Sequence, residues 1–149
     1  MNKLFIGREK EQRQLKEYLS SDQSEFIAVY GRRRVGKTFL IQQVIGNNYA
    51  FYVAGMNNVS MRIQLKNFMQ GMRKNGEDIH TADTWLDAFI ALEDYLDSLS
   101  EGNKIVFIDE MPWMDTPRSN FISGLEHFWN SWASWRDDIK LIVCGSATS

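Results

Sequence analysis

Tyr30-Gly31-Arg32-Arg33-Arg34-Val35-Gly36-Lys37-Thr38 is the stretch that decides the fold of this chain. Residues 31–38 match G-x-x-x-x-G-K-[S/T] at every constrained position. In that pattern the glycines let the backbone curl, so that successive N–H groups can face a phosphate. The run before it, Glu25 to Tyr30, is apolar except at its start and reads as a buried strand of a parallel sheet. Phe39 to Ile45 continues as a helix that Gly46 and Asn47 stop. A helix starting near Gly36 turns its positive end toward the same point. Lys37 suits the β- and γ-phosphates of a nucleotide, and the Thr38 hydroxyl suits a Mg²⁺ ion. The nucleotide-binding candidates are therefore Gly31, Arg34, Val35, Gly36, Lys37, Thr38 and Phe39. With glycine at about 7% of positions in average proteins, a chance match in a chain this long is an event on the order of 1%. That disfavours a mere basic surface turn. Arg32, Arg33 and Arg34 cannot all approach one nucleotide, so at least two of them read as solvated.

A second signal is Lys104-Ile105-Val106-Phe107-Ile108-Asp109-Glu110, a buried strand running into an acidic pair. Alone it is weak, because many strands end in an acid. Beside a phosphate loop it gains meaning. Asp109 can hold Mg²⁺ through water, opposite Thr38, and Glu110 can orient and deprotonate an attacking water. Gly145-Ser146-Ala147-Thr148 follows another apolar run, and Ser146 is the first choice for a polar contact to the γ-phosphate or the water. Lys37, Glu110 and Ser146 form the catalytic set; Thr38 and Asp109 form the metal set.

The remaining elements alternate. Glu9 to Leu19 reads as a helix with a modest apolar face at Glu11, Leu15, Tyr18 and Leu19. Tyr49 to Val53 reads as a strand. Ser60 caps a helix whose face carries Met61, Leu65, Phe68, Met69 and Met72, with Gly71 or Gly76 near its stop. Lys74 to Asp83 reads as a loop. Thr84 caps another helix, with Trp85, Phe89, Leu92, Leu96 and Leu99 on one face. A helix around Phe121 to Ser134 carries Leu125, Phe128, Trp129 and Trp132. Ile139 to Cys144 is the last strand, which Gly145 should end. Strands alternating with helices imply an α/β three-layer sandwich on a parallel sheet.

Composition bounds the rest. The 149 residues suffice for one domain, and 44% apolar with 24% charged residues is ordinary for a folded chain. A net charge of -2 argues against broad binding to nucleic acid or an acidic membrane. No apolar run approaches the roughly 20 residues that span a bilayer. Lone Cys144 rules out an internal disulfide framework and favours a reducing, cytoplasmic setting. His80 and His127 have no cysteine partners nearby, which disfavours zinc. Trp113, in a proline-bounded loop, and Trp135, at a helix end, are candidates for contact with another part of the protein or a partner.

With these residues located, the chain resembles the N-terminal part of the archaeal and bacterial AAA-type P-loop ATPases, a STAND-like branch of the AAA+ proteins. The resemblance covers nearly the whole chain. It rests on Phe5-Ile6-Gly7-Arg8-Glu9-Lys10-Glu11, the loop at 30–38, Phe107-Ile108-Asp109-Glu110-Met111-Pro112-Trp113, and Cys144-Gly145-Ser146. It implies that Ile6 and Gly7 contact the base of ATP, that Thr38 and Asp109 serve Mg²⁺, that Glu110 is the catalytic carboxylate and that Ser146 is the first sensor. It also implies a strand order 5-1-4-3-2, with the fifth strand, a helical lid and an effector region beyond Ser149. On that expectation residues 1–149 are an incomplete core that turns over slowly, and the strand entering the phosphate loop has an exposed edge. ATP hydrolysis driving a conformational change downstream is the leading function. The alternative is a nucleotide-controlled switch that recruits a protein, a second copy or, through regions outside this chain, DNA. A P-loop kinase fits the acidic pair less well, and no N/T-K-x-D guanine-recognition sequence appears.

Overall fold

Alternating burial along the strands sorts the core into two layers. The computed structural model describes residues 2–4, 9–32, 36–72 and 81–147. In chain order its elements are β1 (Asn2–Leu4), α1 (Glu9–Leu19), β2 (Glu25–Arg32), α2 (Lys37–Ile45), β3 (Phe51–Ala54), α3 (Met61–Gln70), α4 (Trp85–Asp97), β4 (Lys104–Asp109), α5 (Phe121–Ser131) and β5 (Ile139–Ala147). Short 3-10 turns lie at Met111–Trp113 and Ala133–Trp135. The strands form one parallel sheet in the order β1-β2-β5-β4-β3.

Successive side chains of a strand point to opposite faces. Ile27 and Val29 of β2, Phe107 of β4, and Ile142 and Cys144 of β5 accordingly share one cluster with Leu15 of α1 and Ile41 and Ile45 of α2. Their neighbours in sequence, Ala28, Val106, Ile108, Leu141 and Val143, belong to a second cluster under α3, α4 and α5. Helices thus cover both faces, and the chain has the α/β fold of P-loop NTPases. Aromatic side chains dominate the second cluster: Phe68 meets Phe51, Trp85 and Phe89 with ring centroids 4.8, 5.4 and 5.2 Å apart. Such tilted and edge-on pairs add stabilisation beyond the area they bury.

The caps fall where local chemistry puts them. Ser60 Oγ accepts from the Ile63 N–H at 3.3 Å and Thr84 Oγ1 from the Asp87 N–H at 3.1 Å, so each satisfies an amide that its helix cannot. Gly46, at φ 56°, ends α2.

Several boundaries differ from the sequence expectation. The edge of β2 is not exposed: Asn2, Lys3 and Leu4 pair with Ile27, Ala28 and Val29. The position beside β2 in the expected order is therefore taken by an N-terminal strand. Gly145 does not end β5, because Gly145, Ser146 and Ala147 stay in register with Tyr30, Gly31 and Arg32. For the same reason β2 runs two residues into the phosphate-loop motif, with Gly31 extended rather than curled. Strand β3 lies at Phe51–Ala54 rather than Tyr49 to Val53. Helix α5 stops at Ser131, since Trp132, at φ -134° and ψ -64°, leaves the helical region before the 3-10 turn. Of the expected apolar face of α1, only Leu15 is fully enclosed. Most of the loop expected at Lys74 to Asp83 lies outside the described residues.

At the amino end of the sheet, fully enclosed Lys140 of β5 donates from Nζ to Ser21 O at 3.0 Å, Ser21 Oγ at 2.9 Å and Gln23 O. Burial pushes its ammonium below the usual range. Lys104, also buried, reaches Gly102 O and Asp138 at 3.0 Å each. Among the described residues no helix is long and apolar enough to cross a membrane.

Candidate functional site

The candidate site lies at the carboxyl ends of β2, β4 and β5, where ligands bind in open parallel sheets. Strand parity governs its central pair. Phe107 of β4 packs in the cluster beneath α1 and α2, and Asp109, two residues on, points to the same side. There it meets the first turn of α2. Thr38 Oγ1 donates to Asp109 Oδ2 at 2.7 Å. The other oxygen, Oδ1, accepts from the Glu110 N–H at 2.8 Å, and the residue is only 3% exposed. A carboxylate taken out of water needs such donors.

Helix α2 begins where the motif reading puts it. Gly36 is its N-cap, at φ 77° and ψ 28°, and as a glycine it offers no side-chain cap to the first turn. A Cβ there would meet nothing within 4 Å among the described residues. A helix start whose N-cap is a left-handed glycine is suited to an anion. Lys37 is the first residue of α2; its side chain is outside the description, as are Ile6, Gly7, Arg34 and Val35. Gly31 pairs with Ser146 across β2 and β5, so the backbone brings the expected sensor position beside the start of the loop. Phe39 stands apart. It is 64% exposed and lies about 100° round the helix from Thr38.

Glu110 leaves the strand in a left-handed conformation, φ 51° and ψ 40°. This is uncommon for a residue with a side chain and costs roughly 1–2 kcal/mol. Its surroundings hold it there. The Gly55 N–H donates to Asp109 O at 2.9 Å and the Trp113 N–H to Glu110 O at 3.1 Å. A Cβ on Gly55 would stand 2.3 Å from Glu110 O, so only glycine fits. Pro112, two residues further, packs against the end of β5: a Cβ on Gly145 would lie 2.7 Å from its Cδ.

Gln64 of α3 ties this rim together, and sequence reasoning did not single it out. It is 2% exposed; its Nε2 donates to Met56 O at 2.6 Å and to Trp113 O at 3.0 Å, and its Oε1 accepts from the Met56 N–H at 3.1 Å. The loops after β3 and β4 are thereby joined through one amide. A glutamine inside an apolar helical face was the only available signal. Tyr52 of β3 was also missed. Burial, reinforced by the Asp109 charge, pushes its phenol above the usual range and keeps it neutral.

The donors fit a hard cation. A hydroxyl and a carboxylate oxygen stand side by side, and Mg²⁺ prefers few protein oxygens, keeping waters and phosphate for the rest. Among the described residues no cluster of three or more His, Cys, Asp or Glu exists that would hold a metal alone. A family model described as an ATPase domain predominantly from Archaea matches residues 5–149. The chain belongs to that family. This ATPase-family domain is 32% identical over 152 residues to the protein MJECL04 of Methanocaldococcus jannaschii, covering 98% of the chain but 30% of that protein. It thus spans about a third of that relative's length. The domain is also similar in fold to the Walker-type ATPase PABY2304 of Pyrococcus abyssi, with a TM-score of 0.60 at 18% identity, over 93% of the chain and 45% of that protein.

Proposed function

We propose that this domain binds ATP with Mg²⁺ at the carboxyl edge of the sheet and, within the whole protein, hydrolyses it to ADP and phosphate. The observation that carries the reading is the 2.7 Å hydrogen bond between Thr38 and Asp109, which joins the start of α2 to the end of β4. In this reading Lys37 neutralises the β- and γ-phosphates, while Gly31, Arg34, Val35, Gly36 and Phe39 contribute the loop backbone around them. Ile6 and Gly7 border the base. Thr38 offers its oxygen to the cation directly and Asp109 through water. Mg²⁺ held by Thr38 and Asp109 would supply positive charge against that of the phosphates. Glu110 takes the proton of the attacking water as its oxygen bonds to the γ-phosphorus and the bond to the ADP oxygen breaks. Ser146, beside Gly31, reports on the γ-phosphate. The AAA+, STAND-like assignment, the incomplete core at residues 1–149, and a downstream lid and effector region belong to the same proposal.

The test is a titration of ATP and GTP with Mg²⁺ on the whole protein, repeated with Lys37→Ala and Glu110→Gln. Lys37→Ala should weaken ATP binding. Glu110→Gln should retain it and slow phosphate release by about 10²–10⁴-fold. Tight ATP binding with no release in the parent protein would instead favour a nucleotide-controlled switch. Unchanged ATP binding in Lys37→Ala would overturn the site.

A further inference from the structure

Helix α3 lowers two side-chain amides onto the exit of β3. Gln64 and Asn67 stand three residues apart on one side of the helix. Asn67 Nδ2 donates to Ala54 O at 2.9 Å. Gln64 grips Met56 at both its N–H and its carbonyl. The same Gln64 Nε2 also donates to Trp113 O at 3.0 Å, in the loop after β4. Gln64 is buried, so water does not compete for these bonds.

The residues that Gln64 holds stand at or next to those that hold Glu110. Gly55, the neighbour of Met56, donates its N–H to Asp109 O, and the Trp113 N–H donates to Glu110 O. Asp109 Oδ1 accepts the Glu110 N–H. The peptide groups on both sides of the Glu110 Cα are thereby fixed, and those two planes set its φ and ψ. A left-handed residue with a side chain persists only where its surroundings over-determine it. Here two arms, one from the end of β3 and one from the turn after β4, close on a single buried amide.

We infer that Gln64 is a positioning residue for hydrolysis: it holds Glu110 in the left-handed conformation from which the carboxylate reaches the attacking water. The inference rests on the proposed role of Glu110 as base. Gln64 acts through the backbone of Met56 and Trp113 rather than on the nucleotide, so its loss lowers the rate and spares ATP binding.

The test follows a single turnover of ATP with Mg²⁺ on the whole protein, in a cycle of parent, Gln64→Leu, Glu110→Gln and the double variant. Gln64→Leu should slow phosphate formation by about 10–10²-fold and leave the ATP dissociation constant unchanged. In the Glu110→Gln background it should slow the reaction no further, because the group it positions is already gone. Without nucleotide, Glu110 of the parent should show the strong intraresidue N–H to Hα Overhauser effect of a positive φ, and Gln64→Leu should weaken it. If Gln64→Leu does not fold, Gln64→Met, unbranched and of similar length, carries the same cycle. A rate equal to the parent's, the same fractional loss in both backgrounds, ATP binding weakened in proportion to the rate, or an unchanged Glu110 signal would each overturn the inference and leave the function standing. A parent that forms no phosphate, or one indifferent to Glu110→Gln, would overturn the function and the inference with it.

Discussion

Thr38 Oγ1 donates to Asp109 Oδ2 over 2.7 Å, joining residues 71 apart in the chain at the point where α2 begins and β4 ends. Asp109 is buried, and its second oxygen is occupied by the Glu110 N–H. Thr38 therefore satisfies a carboxylate that solvent barely reaches, besides its proposed role toward Mg²⁺. Thr38→Ala should lower the free energy of unfolding by about 1–3 kcal/mol and remove the Mg²⁺ dependence of nucleotide binding. Thr38→Ser should preserve both. Urea denaturation followed by tryptophan fluorescence, with nucleotide titrations in Mg²⁺ and in chelator, checks the two effects separately.

Glu110 combines a strained backbone with the proposed chemistry, so stability and activity should part company there. Glycine adopts its left-handed conformation without steric penalty, whereas alanine does not. Glu110→Gly should be more stable than Glu110→Ala by about 1 kcal/mol, with both inactive in hydrolysis. Thermal unfolding of the pair decides; equal stability would mean that the backbone at 110 is not strained.

Gly145 and Pro112 form a contact whose sense can be measured by a double-mutant cycle. Gly145→Ala should destabilise the domain by about 1–3 kcal/mol, because its Cβ would press on the proline ring. Pro112→Ala should relieve most of that loss, giving a coupling energy of about 1 kcal/mol or more. Additive effects would show that the ring does not limit the approach.

Gln64→Leu keeps the shape of the buried side chain but removes three hydrogen bonds that hold the backbone of Met56 and Trp113. A loss of at least about 1–3 kcal/mol is expected. Hydrogen exchange should quicken at residues 55–57 and 111–114 while β2 stays protected. Uniform loosening of the whole sheet would contradict a local role.

At the amino end of the sheet, Arg136 foremost, then Lys104, hold the Asp138 carboxyl at about 2 against its ordinary 3.8. A folded-state value below the unfolded one gives stability that is fully present above pH 3.8. It is lost as pH falls toward about 2. Asp138→Asn should therefore be less stable than the parent at neutral pH. The gap should close on acidification through this window, as followed by denaturant midpoints at each pH.

Local patterns carried much of this in the sequence. Gly31 to Thr38 between an apolar run and a helix is a short-range arrangement, as are the caps at Ser60 and Thr84 and the alternation that puts Asp109 at a strand end. Each depends on neighbours within a few residues, so each is legible without knowing the fold. Tertiary packing decided what those residues meet. Only the strand order puts Thr38 against Asp109, extends β2 and β5 past Gly31 and Gly145, and covers the edge of β2 with Asn2–Leu4. The roles of Gln64 and Lys140 were hidden for the same reason. A buried polar side chain is intelligible only through its partners, and those of Lys140, at Ser21 and Gln23, come from a turn 117–119 residues away.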